Sequence, residues 1–181
     1  MKFSVCIKQV PDVSAPIQLR DGALQVDPNR VVLNAYDASA VEAALVLTAA
    51  HGGEVDVVLV GPERAHETIR KALAMGAERA THLHVDADPS LDAREYAELL
   101  ATHFREAGFE VILCGKQAQD TDAGLTGAML AALLDVPYVT NAVGLAFEPD
   151  ARAVVVTRQG DTGQEVVALP VPCLVTCSND M

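Results

Sequence analysis

Between Leu113 and Leu134 the sequence LCGKQAQDTDAGLTGAMLAALL leaves an apolar run, passes through Gly115, Lys116, Gln117, Asp120, Asp122, Gly124, Leu125, Thr126 and Gly127, and returns to an apolar run. Gly115 can let backbone approach a ligand closely, and Gly124 and Gly127 open a helical pattern whose free N–H groups and positive dipole end suit a phosphate. Thr126 adds a hydroxyl donor. The dipole alone stabilises an anion by roughly 0.3–1 kcal/mol, whereas each hydrogen bond to a charged oxygen is worth about 1.5–3 kcal/mol, so several backbone donors together would decide affinity. A solvated connecting loop can have the same spacing, and spacing alone does not separate the two. Gly115-Lys116 is not a Walker motif, and no G-x-G-x-x-G occurs. Asp120 and Asp122 have the residue type for a magnesium site or an acid–base pair, but they precede a helix, where aspartate commonly caps. No nucleophile has a neighbouring base, so catalysis is not expected.

Other residues with chemical potential point less far. Cys6, Cys114, Cys173 and Cys177 lie in apolar runs with no C-x-x-C pair, the pattern of buried thiols rather than of zinc or a redox dithiol. His82 and His84 share one face of a strand without a third ligand nearby, so no metal is expected. The formal net charge is -12 and the pI about 4.6, which disfavours nucleic acid and anionic lipid as partners. No apolar run approaches the roughly 18 residues of a membrane span, and the start MKFSVCIKQVPD is too short in its apolar part for a signal peptide. A cytoplasmic protein without membrane insertion is expected.

The elements that must position these residues alternate. KFSVCIKQV and the uninterrupted apolar run Val55 to Val60 read as strands covered on both faces. Between them a helix is expected, with Asn34 or Asp37 as N-cap, a Ser39-x-x-Glu42 box and a Gly52-Gly53 stop. A second helix follows Gly61-Pro62 and ends at Gly76, and RATHLHV is a short strand. Ser90 would cap a third helix bearing Tyr96, Leu100 and Phe104 at four-residue spacing, ended by Gly108 before the strand FEVILC. Leu125 to Leu134 would form the fourth. This alternation predicts an α/β fold, a mainly parallel sheet with helices on both faces. After Pro137, runs separated by Pro-Asp and Gly-Asp-Thr-Gly predict an antiparallel C-terminal extension of hairpins. No linker or repeat divides residues 1–181, so a single domain is expected.

Four segments, in order, resemble the beta subunit of the electron transfer flavoproteins: VCIKQVPD at Val5 to Asp12, NAYDASAVEAAL at Asn34 to Leu45, GPERAHETIRKALAMGAERA at Gly61 to Ala80, and LCGKQAQDTDAGLTGAMLAALLDVP at Leu113 to Pro137. With the region ending LPVPCLVTC, the resemblance covers nearly the whole chain. It implies a subunit that binds AMP as a structural nucleotide and pairs with an alpha subunit carrying the redox-active FAD, shuttling electrons from dehydrogenases to the respiratory chain. In bifurcating relatives a second FAD takes the AMP position. The family's nucleotide contacts fall on Cys6, on Asn34, Ala35, Tyr36 and Asp37, on Val60, and on the loop from Gly115 to Thr126, with Gly127 beside it. The implied architecture is that of an adenine-nucleotide-binding domain like the universal stress proteins.

Three departures from the family pattern matter. Asn34-Ala35-Tyr36 stands where the family has asparagine-proline-phenylalanine, keeping the amide and losing the stiff proline. Gly124-Leu125-Thr126-Gly127 stands where asparagine-glutamine-threonine-glycine is common, so phosphate binding would rest on backbone N–H groups and Thr126. Family chains continue into a partner-recognition loop and a C-terminal arm, whereas this sequence stops at TCSNDM. Dehydrogenase docking and tight alpha pairing are therefore not expected to be fully supported, and a homodimer is the other assembly to expect. The alternative functional reading is a stand-alone adenine-nucleotide sensor resembling the universal stress proteins, whose glycine-rich phosphate signature is not matched. An adenylating enzyme would need a pyrophosphate loop that IKQVPDVS does not provide.

Overall fold

A computed structural model describes residues 1–16, 18–25, 27, 29–86 and 91–181. In chain order the elements are β1 (Lys2–Ile7), β2 (Gln9–Pro11), β3 (Gln18–Arg20), β4 (Ala23–Gln25), β5 (Val31–Leu33), α1 (Ala35–His51), β6 (Glu54–Gly61), α2 (His66–Met75), β7 (Arg79–His84), α3 (Ala93–Ala107), β8 (Val111–Gly115), α4 (Thr126–Leu134), β9 (Tyr138–Glu148), β10 (Ala153–Gly160), β11 (Gly163–Pro170) and β12 (Cys173–Cys177). A 3-10 turn, Glu63–Ala65, leads into α2.

One eight-stranded sheet runs in the order β11-β10-β9-β12-β8-β1-β6-β7. From β7 across to β9 every neighbouring pair is parallel, and β9, β10 and β11 form an antiparallel meander. The strands' apolar runs follow from burial on both faces: β1 and β6 are buried along most of their length. On one face α1 lays Ala40, Val41, Ala44 and Leu47 against Phe3, Val5, Val57 and Leu113, with α2 beside it through Ile69 and Ala72. On the other, α3 and α4 bring Leu100, Phe104 and Leu130 onto Val58, Ile112 and Leu174. Small residues on the buried stripe of α1 let the helix sit close to the sheet.

Several local expectations change. The run KFSVCIKQV is two strands, because Lys8 leaves the ladder and its N–H donates to Asp37 Oδ2 at 2.7 Å. Asn34 stands at the N-cap of α1 but makes no capping bond with its side chain. The Ser39–Glu42 box does not form, since Ser39 is already helical and its hydroxyl donates to the Ala35 carbonyl. The expected Ser90 cap lies outside the described residues; Asp92 caps α3 in a full capping box with Glu95. Helix α4 begins at Thr126, with Leu125 as its N-cap residue.

The largest change concerns the C-terminus. The three strands after Pro137 form the expected meander, turned by Gly160 and Gly163. The final run CLVTC, expected as part of that antiparallel extension, instead returns as β12 between β8 and β9 and pairs parallel to both. Its burial explains this: all five residues are buried, so the segment needs a central position with helices above and below. Two small ladders, β2–β5 and β3–β4, were not anticipated; the latter closes on Asp21-Gly22, both at positive φ, a hairpin signal present in the sequence.

Candidate functional site

In this strand order the chain passes from β1 to β6 and β7 on one side, then returns to β8 on the other. The crevice at the carboxyl ends of β1 and β8 is thus the topological switch point, where open α/β sheets bind ligands. Three segments converge there: the end of β1, the first turn of α1, and the loop from Lys116 to Leu125.

The first turn of α1 holds both walls. Asp37 is 5% exposed; its Oδ2 accepts the Lys8 N–H and its Oδ1 accepts the Gly115 N–H at 3.0 Å. Asn34, 1% exposed, reaches the loop instead of its own helix. Its Nδ2 donates to the Gln117 carbonyl at 2.9 Å and its Oδ1 accepts the Gln119 N–H at 3.2 Å. Gln119 Oε1 in turn accepts the Ala35 N–H at 3.1 Å, so the loop caps the helix and the helix shapes the loop. This reciprocity satisfies a first-turn donor that the N-cap side chain leaves open.

The loop is also tied internally. The Lys116 N–H donates to the Cys177 carbonyl at 2.7 Å, and the Asp122 N–H donates to the Ala118 carbonyl at 2.8 Å. Gln117 Nε2 donates to Asp122 Oδ1. Lys8 Nζ lies 2.8 Å from both carboxylate oxygens of Asp120, joining the end of β1 to the loop. Neither Asp120 nor Asp122 caps α4, correcting that expectation: among the described residues the N-cap position is Leu125, whose side chain makes no capping bond, and Asp122 takes a left-handed turn with φ +55°.

The glycines also have packing roles that the sequence did not reveal. A Cβ on Gly115 would lie 2.2 Å from Asp37 Oδ1 and 2.7 Å from Tyr36 Cβ, so this glycine admits α1 to the strand end. On Gly124 it would lie 2.9 Å from the Lys116 carbonyl oxygen, and on Gly127 2.6 Å from Thr176 Cγ2. Close packing of the loop and of α4 on β12 explains these two.

The remaining candidates are distributed around this core. Cys6 and Cys114 are register partners on β1 and β8 and sit with Val60 on the face covered by α3 and α4. Tyr36 backs onto Gly115, Leu125 is 58% exposed, and Thr126 begins α4. Sequence reasoning passed over Lys8, although it lies inside a motif quoted for the resemblance, and gave Gln119 no role of its own within the loop. It also missed Thr176 and Cys177 of β12, which only the return of that strand brings to the crevice.

Electrostatics separate the thiols from the carboxylate. The hydrogen bond with Cys114, then burial, holds the Cys6 thiol well above its ordinary range; burial pushes Cys177 up and Cys173 to about 12. These groups remain neutral and unreactive. Burial pushes Asp37 up to about 7, against the opposing pull of Asn34 and of the Lys8 and Gly115 N–H groups. Tyr96 of α3 is raised by burial and by the charge of Asp120. The crevice offers uncapped N–H groups at the start of α4, small or apolar strand ends, and few free cations, a donor set suited to a phosphate held by backbone and a ring held by packing.

The "Electron transfer flavoprotein domain" family model matches residues 24–181, and the chain belongs to the electron transfer flavoprotein beta subunit/FixA family. It is 36% identical to the "Caffeyl-CoA reductase-Etf complex subunit CarD" of Acetobacterium woodii, over all of this chain and 70% of that protein. It is 36% identical to "Protein FixA" of Azorhizobium caulinodans, over 97% of this chain and 65% of that protein. With the "Electron transfer flavoprotein subunit beta" of Bacillus subtilis it shares 31% identity, over all of this chain and 70% of that protein. Members of the family are electron-carrier subunits without turnover of their own, and the general role in electron transfer follows from membership. Among the described residues no helix is long and apolar enough to cross a membrane.

Proposed function

We propose that the crevice at the ends of β1 and β8 binds AMP as a structural nucleotide, and that the chain pairs with an FAD-bearing alpha subunit to pass electrons from dehydrogenases toward the respiratory chain in the cytoplasm. The observation that carries this reading is the clasp between α1 and the loop: Asn34, Gln119 and Asp37 hold the walls through bonds within the chain, while Leu125, the N-cap residue of α4, makes no capping bond. Walls held by bonds within the chain, beside helix N–H groups that the N-cap side chain leaves open, fit a phosphate.

In this reading the N–H groups at the start of α4 and the Thr126 hydroxyl hold the phosphate. Cys6, Val60 and Tyr36 supply apolar walls to the adenosine. Ala35 and Leu125 contribute backbone at the two rims, and Gly115, Gly124 and Gly127 permit the close packing that shapes them. Gln117, Lys116, Asp120 and Asp122 set the loop. The FAD of the alpha subunit supplies the redox chemistry; this chain orients that subunit. That the Bacillus relative is a subunit beta supports the pairing, and the adenine-nucleotide-binding, universal-stress-protein-like character of residues 1–181 as one domain belongs to the same proposal.

Native mass spectrometry of the purified chain tests it. Retained AMP is the expected result, together with no visible flavin absorbance in the absence of an alpha subunit. Stoichiometric FAD would instead place this chain with bifurcating relatives, and co-expression with an alpha subunit that leaves only homodimers would remove the pairing.

A further inference from the structure

Of the four free cysteines, two stand apart by their place in the sheet. Cys173 and Cys177 are 0% exposed and belong to the cluster under α1 and α2. Cys6 and Cys114 are 9% and 6% exposed and face α3 and α4. Each is the next-to-last residue of a strand whose carboxyl end opens into the crevice, Cys6 on β1 and Cys114 on β8. They are direct register partners. Neighbouring strands lie about 4.7–4.9 Å apart, so the two side chains leave the sheet at one level and on one side, and a hydrogen bond joins their thiols.

Two sulfurs so placed suit one class of ligand. A structural zinc takes four ligands, and among the described residues no group of three or more histidines, cysteines or carboxylates is placed to hold a metal ion. A soft d10 cation in its two-coordinate state needs only a facing pair of thiolates, and thiolate is a donor that selects Cu(I). The cation takes the place of the proton that the two sulfurs share: two S–H bonds are lost, two S–Cu bonds form, both protons go to solvent, and no electron is transferred. Coordination itself deprotonates thiols that are neutral in the free chain. The resulting unit carries one net negative charge. It lies beside the first turn of α4, where a Cβ on Gly127 would be 3.7 Å from Cys114 Cβ, and a helix start stabilises a nearby thiolate. The Asp37 carboxylate, whose charge reaches Cys6, acts in the opposite sense.

We propose that Cys6 and Cys114 form a two-thiolate site for a single Cu(I) ion, which links β1 to β8 at the floor of the crevice. The inference stands apart from the nucleotide reading, since it uses only the register of two strands and the chemistry of sulfur. Cys6 also walls the proposed nucleotide site, so the test starts from nucleotide-stripped protein.

Anaerobic titration of the fully reduced chain with Cu(I), in competition with a chromophoric chelator, tests it. One equivalent should bind, with a thiolate-to-copper charge-transfer band in the ultraviolet. Cys6→Ser and Cys114→Ser each put a hard oxygen in place of a soft sulfur. Each should weaken binding by at least about a hundredfold, the upper end of what loss of a merely supporting partner costs a metal site. Cys173→Ser should bind as the natural chain does. If a crevice variant does not fold, copper K-edge absorption of the loaded natural chain decides alone, with two sulfur neighbours as the expected result. A chain that leaves all copper with the chelator, a copper with nitrogen, oxygen or a third sulfur around it, or binding that survives in Cys6→Ser or Cys114→Ser overturns the inference.

Discussion

The two ends of the sheet are tied in opposite ways. At the amino ends of the strands, Glu110 accepts the Lys2 N–H at 2.7 Å and pairs with Arg152 at 2.8 Å, while Arg79 pairs with Asp56 at 3.1 Å and with Glu54. The arginines there are well exposed, Arg152 at 71% of its side chain. At the carboxyl ends, Asn34 and Asp37 are almost wholly buried and bond to backbone of other segments. Exposed ion pairs contribute about 0–1 kcal/mol each, whereas leaving a buried donor unpaired costs about 1–3 kcal/mol. The difference teaches where precision is needed: the amino end need only stay together, and the carboxyl end must hold a shape.

The largest expected effect that sharpens this contrast is the pH dependence of stability. The proton affinity of Asp37 is raised on folding, from an ordinary carboxyl near 3.8 to about 7. Its contribution is therefore fully present below about pH 4 and is lost as pH rises through about 7, a span on the order of 4 kcal/mol. Urea midpoints of the natural chain relative to Asp37→Asn should fall across that window; a constant difference would show that the carboxyl does not titrate there. Next, Gly115→Ala forces a Cβ against Asp37 and Tyr36 and should destabilise by about 3 kcal/mol, the upper end of overpacking effects, read by the same midpoints. Unchanged stability would mean α1 can withdraw freely from the strand end.

Asn34→Ala leaves the Gln119 N–H and the Gln117 carbonyl without partners and should lose about 1–3 kcal/mol. Faster hydrogen exchange should be confined to residues 117–123 and the first turn of α1. The smallest effect is expected at the other end: Arg152→Ala should change stability by less than about 1 kcal/mol, and less again in high salt. A loss there as large as that of Asn34→Ala would erase the contrast between the ends.

Much of the fold was legible because long-period signals carried it. The apolar run at Val55 to Val60, the four-residue stripe on α3, and Gly76 and Gly108 as helix stops all depend on local chemistry. β12 was misplaced because CLVTC is equally apolar in a hairpin or in a parallel core, and only its burial between β8 and β9 decides. The loop was legible as a group, since a polar stretch between two apolar runs must meet solvent or a ligand. The roles within it were not. Gly115 looked like room for a ligand, and its missing Cβ also makes room for α1; Asn34 looked like a helix cap and is a clamp on Gln117 and Gln119. Both depend on partners more than 75 residues away, a separation that no local pattern records.

The central claim, that the clasped crevice is a nucleotide site, is tested most directly by melting the nucleotide-stripped chain with and without AMP. At a hundredfold excess over Kd a ligand of the folded state contributes about 2.7 kcal/mol. With each kcal/mol raising the Tm by roughly 2–4 °C at this size, that corresponds to a shift of about 5–10 °C. Gly124→Val, whose Cβ would meet the Lys116 carbonyl oxygen, should abolish most of it by displacing the loop. A natural chain whose Tm does not move with AMP, ADP, ATP or FAD would contradict the account and reduce the loop to a well-ordered connection between β8 and α4.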